Sequence, residues 1–281
     1  MKNKSKSVKK ALIILAVIII SLILIIVPCK VATTVSDGLS VSAHTSARPL
    51  LVAHRGFSSI RPENTCSAFD AAVEAGFDGY EFDLHTTKDG EWVVIHDDTV
   101  DKMTDGTGNV EDFTFEEIRR LKIDSGNGIE NYPDLKMPTL EETLASCDGN
   151  DIIPVIEIKR CDMKYLPDLK AYLDGKSLSE KAVIISFTGE YLEAYRELDK
   201  DVQMYLLSNE FTKEDVDRCV ENNFGINFNH KLLYKNVGAV LYAEKQGVKL
   251  AAWTVDNTVY KDVMVLFGVD VITTNKIKPV K

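Results

Sequence analysis

A chain of 281 residues, 45% hydrophobic and 27% charged, has an ordinary globular composition with apolar material for one large core. Its net charge of −10 is unevenly placed: residues 1–30 carry six lysines and no acid, so 27 basic against 43 acidic residues leave the remainder near −16. A body that acidic excludes a nucleic-acid partner, and it also repels phosphates unless a cation or a basic pocket intervenes.

Lys2, Lys4, Lys6, Lys9 and Lys10 precede an apolar or small run from Ala11 to Val27, ended by Pro28. At 1.5 Å per residue this run just crosses a hydrocarbon core of about 30 Å. Basic residues ahead of it predict a cytoplasmic N-terminus and an exported body. The expected organisation is therefore a basic segment over 1–10, a transmembrane anchor over 11–28 and a flexible tether over 29–49. A domain over 50–281 follows, held outside the cell membrane. A cleaved signal peptide is the rival, but its small-residue site at Val41–Ser42–Ala43 lies far past the apolar run. Lipidation at Cys29 fits poorly behind Pro28. The cysteines (Cys29, Cys66, Cys147, Cys161, Cys219) show neither metal-type spacing nor a disulfide framework.

From Leu50 onward short apolar runs alternate with helical patterns. Strands are expected at Leu50–His54, Gly79–Leu84, Pro154–Lys159, Ala182–Ser186, Gln203–Leu207, Gly225–Phe228, Lys249–Val255 and Asp270–Thr273. Helical stretches fall between them, at Asn64–Ala75, Leu140–Ser146, Tyr191–Leu198, Lys213–Asn222 and Val237–Lys245. Eight units of strand then helix predict an α/β fold with a parallel sheet closed into a (β/α)8 TIM-type barrel. An open doubly wound sheet is the alternative, and no glycine-rich dinucleotide fingerprint supports it.

Functional side chains of such barrels stand at the C-terminal ends of strands. Here those ends hold His54 and Arg55, then Glu81 and Asp83, then Glu157 and Lys159, and later Trp253. Glu81 and Asp83 are two positions apart and share one strand face. With Glu157 they bring three hard oxygen donors together, a set that suits Mg²⁺ or Ca²⁺ better than zinc. The plainer reading is that these acids only pair with Arg55 and Lys159. Asp89-Gly90 between extended segments signals a hairpin. With these two residues central in the turn, Asp83 faces His96, which returns that ring to the acids. Two imidazoles suit proton transfer in both directions. The Arg55 fork and the Lys159 charge match phosphate oxygens. Phosphoryl transfer from a diester is the reaction class that fits.

The segments His54-Arg55-Gly56, Pro62-Glu63-Asn64-Thr65, Glu81-Phe82-Asp83-Leu84, Thr87-Lys88-Asp89-Gly90, Val93-Val94-Ile95-His96-Asp97 and Met137-Pro138-Thr139-Leu140-Glu141-Glu142 together resemble the glycerophosphodiester phosphodiesterase family. Glu157-Ile158-Lys159, Ser186-Phe187 and Trp253-Thr254-Val255 extend the likeness, in order, over about Leu50 to Thr274. The resemblance implies His54 and His96 as the acid/base pair, and Glu81, Asp83 and Glu157 as ligands of one divalent cation. It implies Arg55 and Lys159 on phosphate, with Glu63 and Asn64 bracing the first loop. It further implies release of glycerol 3-phosphate and an alcohol, by a route in which the substrate's own glycerol hydroxyl attacks phosphorus first. A small insertion is expected over Asp97–Lys136, after the second strand.

The chain departs from the family at His85, where Gln is usual, and at Thr273-Thr274-Asn275-Lys276, where Asp followed by Pro is usual. His85 reads as a packing or solvent-side residue and Phe187 as packing. Trp253 either closes over the glycerol moiety or packs the barrel mouth. Other readings stay open: a lysophospholipase D, a phosphatidylinositol-type lyase that stops at the cyclic phosphate, and an anchored receptor that binds phosphodiesters without turnover.

Overall fold

The structure is a computed structural model that describes residues 48–279. The basic segment 1–10, the anchor expected over 11–28 and nearly all of the tether lie outside the described residues. Among the described residues no helix is long and apolar enough to cross a membrane.

Strand β1 (Leu50–Ala53) is followed by helix α1 (Cys66–Ala75) and strand β2 (Gly79–Thr86). A short strand β3 (Trp92–Val94) returns antiparallel along β2. The chain then makes α2 (Phe115–Arg120) and α3 (Leu140–Leu144) before β4 (Ile153–Arg160). From there strand and helix alternate: α4 (Leu166–Gly175), β5 (Val183–Ser186), α5 (Gly189–Leu198), β6 (Gln203–Ser208), α6 (Lys213–Asn222), β7 (Gly225–Asn229), α7 (Val237–Lys245), β8 (Leu250–Trp253), α8 (Thr258–Leu266) and β9 (Val269–Thr274). All neighbours except the β2–β3 pair run parallel, and β1 pairs with both β9 and β2. The eight parallel strands therefore close into a barrel, with β3 as an added flap.

Local chemistry explains the boundaries. Thr65 caps α1 by accepting from the Ala68 amide, and Gly76, at φ 79°, ends it in the left-handed conformation that glycine adopts without strain. Thr114, Thr139 and Thr212 open α2, α3 and α6, each in a capping box with the acid three residues on. Three helices, α2, α4 and α8, were not foreseen. In α8 the run Thr258-Val259-Tyr260 reads as strand by propensity, and helix wins because Asn257 caps the amides of Val259 and Tyr260.

Alternation along the strands sorts the core into two layers. Val52, Val155, Val183, Tyr205, Ala251 and Val271 fill the barrel interior. Opposite positions such as Phe82, Ile156, Ile184, Leu206 and Ile272 pack outward under the helices. The expected insertion is present and has a core of its own, in which Val100, Met103, Val110, Ile118 and Ile123 pack on Val93 and Ile95 of the flap.

The hairpin register differs from expectation by one residue. Leu84 pairs with Val94, His85 with Val93 and Thr86 with Trp92, so Asp83 faces Ile95, whose amide donates to the Asp83 carbonyl at 3.0 Å. The cause is a three-residue loop. Thr87 and Glu91 are its bonded ends, and Gly90 occupies the positive-φ position at 91°. Asp89 is drawn in as an acceptor for the Thr87 hydroxyl and the Phe115 amide, which ties the turn to the start of α2.

Candidate active site

Glu81 and Asp83 point inward from β2, and the β2–β4 register sets Asp83 beside Glu157. Ligand oxygens from the three buried carboxylates lie within 4.8 Å of one another. Glu81 Oε1 and Asp83 Oδ1 are buried without a hydrogen-bond donor. Such atoms are costly to leave bare, and a hard cation satisfies them. The electrostatics agree. Burial, then Asp83 and Glu157, hold the Glu81 carboxyl well above its usual range. Burial and Asp83 push Glu157 up to about 7. Burial also opposes charge on Asp83, but Arg55 leads a set of positive neighbours that outweighs it and keeps that carboxyl low.

The remaining oxygens are held from behind. Asn64 Nδ2 donates to Asp83 Oδ2 at 2.7 Å. The Arg55 backbone amide donates to Glu81 Oε2 at 2.8 Å. Arg55 and Asn64 both adopt positive φ, at 57° and 56°, which is rare for residues with side chains and typical of functional loops. Arg55 Nη1 reaches Glu63 at 2.9 Å, and Glu63 also takes Lys102 at 3.0 Å. Lys159 Nζ lies 3.0 Å from Glu157 and 3.9 Å from Asp83. Arg55 and Lys159 thus do pair with the acids, as the plainer reading expects. Those pairs leave Glu81 Oε1 and Asp83 Oδ1 without a donor, so they do not satisfy the cluster.

One cavity of about 270 Å³ is lined by seven of the predicted residues, with Asp83, Glu63 and Asn64 behind them outside its lining. His54, Arg55, Glu81, His96, Glu157 and Lys159 form its polar side. Ile185, Leu207, Phe187 and Trp253 form an apolar wall opposite. His96 arrives by a bend after β3, not by strand pairing, and its Nδ1 lies 2.6 Å from Asp97 Oδ1. The Asp97 carboxyl sits below its ordinary range, since the His96 ring outweighs partial burial. His54 Nδ1 meets Asn275 Oδ1 at 2.8 Å, and its pKa falls to about 4 because burial, then the Arg55 charge, oppose protonation.

Phe187 corrects an expectation. It packs edge-on to Trp253 with ring centroids 5.7 Å apart, but it is 42% exposed and lines the cavity rather than being buried in the core. Trp253 Nε1 donates to the Asn227 carbonyl at 3.3 Å, which keeps the indole against the wall. His85 is buried, and a register shift after Leu84 leaves it facing a separate pocket with Asp98, Glu111 and Arg160. Sequence reasoning missed Asn227, whose buried Oδ1 lacks a donor at the cavity floor. It also missed the support given by Asp256 and Asn275. The only signal for the latter was that Asn275 lies in the segment Thr273-Thr274-Asn275-Lys276, where the resemblance expects Asp followed by Pro.

A profile described as the glycerophosphoryl diester phosphodiesterase family matches residues 54–278. A glycerophosphodiester phosphodiesterase of Caldanaerobacter subterraneus is 35% identical over 237 residues, covering 81% of this chain and 94% of that one. Human glycerophosphodiester phosphodiesterase 1 is 39% identical over 153 residues, which are 54% of this chain and 46% of the human one. Among solved structures, an Oleispira antarctica phosphodiesterase in complex with the product sn-glycerol-3-phosphate shares the fold. Its TM-score is 0.71 at 22% identity, over 81% of this chain and 93% of that one. A matching profile over most of the barrel, together with a relative aligned nearly end to end, shows that the chain belongs to the glycerophosphoryl diester phosphodiesterase family and is an enzyme of that class.

Proposed function

We propose that this chain hydrolyses glycerophosphodiesters to glycerol 3-phosphate and an alcohol in a reaction dependent on one divalent cation, Ca²⁺ or Mg²⁺. The observation that carries this reading is the pair of donor-less carboxylate oxygens on Glu81 and Asp83, two members of an acidic trio whose Glu81 and Glu157 line a cavity that also holds both imidazoles. Glu81, Asp83 and Glu157 would hold the cation, which when bound supplies positive charge to the phosphoryl oxygens. Arg55 and Lys159 bind the same phosphate.

His54 is the base. Its uncharged ring takes the proton from the attacking glycerol hydroxyl as oxygen bonds to phosphorus. His96 is the acid, and its imidazolium, paired with Asp97, gives its proton to the departing alcohol oxygen as the P–O bond breaks. Water then opens the cyclic phosphate with the two roles exchanged. Trp253 and Phe187 cover the carbon skeleton. Their apolar wall favours a second substrate class, lysophospholipids, whose acyl chain it would accommodate. The lysines ahead of Ala11–Val27 support a single-pass anchor with the barrel outside the cell membrane. The acidic body supports the absence of nucleic acid among its partners.

Full-length chain in detergent, incubated with glycerophosphocholine or lysophosphatidylcholine with and without EDTA, tests the proposal. The expected result is glycerol 3-phosphate from the first substrate, abolished by EDTA and restored by Ca²⁺ or Mg²⁺. Binding without turnover under every cation would favour the receptor reading.

A further inference from the structure

The ends of β8, β9 and β1 carry three polar side chains in a row. Asp256 accepts on Oδ1 from the Asn275 backbone amide at 2.7 Å and from the Thr274 hydroxyl at 3.1 Å. Its Oδ2 accepts from Asn275 Nδ2 at 3.0 Å. Asn275 Oδ1 then faces His54 Nδ1 at 2.8 Å and takes the Ser58 hydroxyl at 3.2 Å.

The row has only one consistent set of donors. A carboxylate accepts and cannot donate, so the amide NH₂ of Asn275 must turn toward Asp256. Its carbonyl oxygen must then turn toward His54, and an oxygen there requires a proton on Nδ1. In the uncharged ring the lone pair is left on Nε2. Asp256 is ionised in this role, because the Asn275 side chain, the Asn275 backbone and Thr274 together outweigh its partial burial.

We propose that Asp256 and Asn275 are positioning residues that lock His54 in the Nδ1–H tautomer, with Nε2 presented to the cavity as the proton acceptor. The effect differs from that of Asp97 on His96. There a carboxylate touches the ring itself and can stabilise an imidazolium, whereas a neutral amide touching His54 orients the ring without adding charge to it. Two histidines with unlike partners are thereby prepared for unlike steps. The inference rests on the assignment of His54 as base.

The test uses the full-length chain with ¹⁵N-labelled histidine, the His54 signals being assigned by their loss in His54→Gln. In the wild type the His54 nitrogens should report a protonated Nδ1 and a bare Nε2 at pH 7.5. Asn275→Leu, which removes the carbonyl at similar volume, should mix the two tautomers and lower kcat about 10- to 100-fold with KM changed less than about threefold. Asn275→Asp loses the donor to Asp256 but keeps an oxygen against the ring, so its nitrogen shifts should still report a protonated Nδ1. Asp256→Asn, which lets the amide turn over, should resemble the leucine variant. Unchanged nitrogen shifts and kcat in both Asn275→Leu and Asp256→Asn would overturn the proposal. So would a bare Nδ1 in Asn275→Asp. The nitrogen shifts are read without substrate, so a wild type that turns over no glycerophosphodiester would defeat the functional reading and leave the tautomer result to stand or fall alone.

Discussion

Asn64 and Asp83 lie 2.7 Å apart, Nδ2 to Oδ2, and the bond reaches across from the turn before α1 to the inner face of β2. It occupies one carboxylate oxygen and leaves Oδ1 for the centre of the acidic trio. Partners of this kind commonly account for about 10- to 100-fold in metal affinity. Asn64→Ala should weaken Mg²⁺ or Ca²⁺ binding by that much in calorimetric titration. Unaltered affinity would show that Asp83 needs no such brace.

Both histidines should prove necessary. His54→Ala and His96→Ala are each expected to lower kcat by about 10²- to 10⁴-fold, the usual scale for a lost acid or base. Full activity in both variants would refute the assignment.

Burial, then Arg55, lower the His54 pKa to about 4. A base works when unprotonated, so with the cation kept saturating, the His54 contribution is lost as pH drops through that value and is retained above it. The acid limb of kcat/KM should therefore lie well below 6.5, the ordinary histidine value. An acid limb at 6.5 or above would assign it to another group.

Cation binding should release protons. Burial and Asp83 raise Glu157 to about 7, and Glu81 is raised as well, so protons compete with the cation below that pH. Affinity should strengthen as pH rises from about 5 to about 7 and then level off. Calorimetry in buffers of different ionisation enthalpy measures the protons released, and a count of zero at pH 6 contradicts the raised values.

Gly90 is a strict requirement of the hairpin. It holds φ 91°, and a Cβ there would run into the Tyr165 ring. Gly90→Ala should cost about 1–3 kcal/mol through strain and overpacking, read as a lower Tm. No change in Tm would mean that the turn relaxes freely.

Most of the barrel was legible in the sequence, because a strand buried on both faces reads as an unbroken apolar run and the rhythm repeats. The acids stood out for the opposite reason: Glu81, Asp83 and Glu157 are charges inside apolar strands, which is costly unless they are paired or hold a cation. Three things were hidden. The hairpin register depended on whether Lys88 joins the turn, which Asp89 decides through a bond to Phe115, far along the chain. Phe187 looks like any aromatic after a strand until the cavity is seen. Asn275 meets His54, and Asp256 meets Asn275, only because β8, β9 and β1 are neighbours, and periodicity does not show that seam.

The seam has a consequence for how the protein is made. Among the described strands β1 is synthesised first and β9 last, yet they pair directly, Leu50 with Val271 through Ala53 with Thr274. Contacts between distant parts of a chain form late and slowly. A nascent chain lacking β9 has an open edge at β1, and nothing yet faces the ring of His54. Closure of the barrel therefore waits for β9, and a chain stalled before that strand exposes the edge of β1 to other unpaired strands.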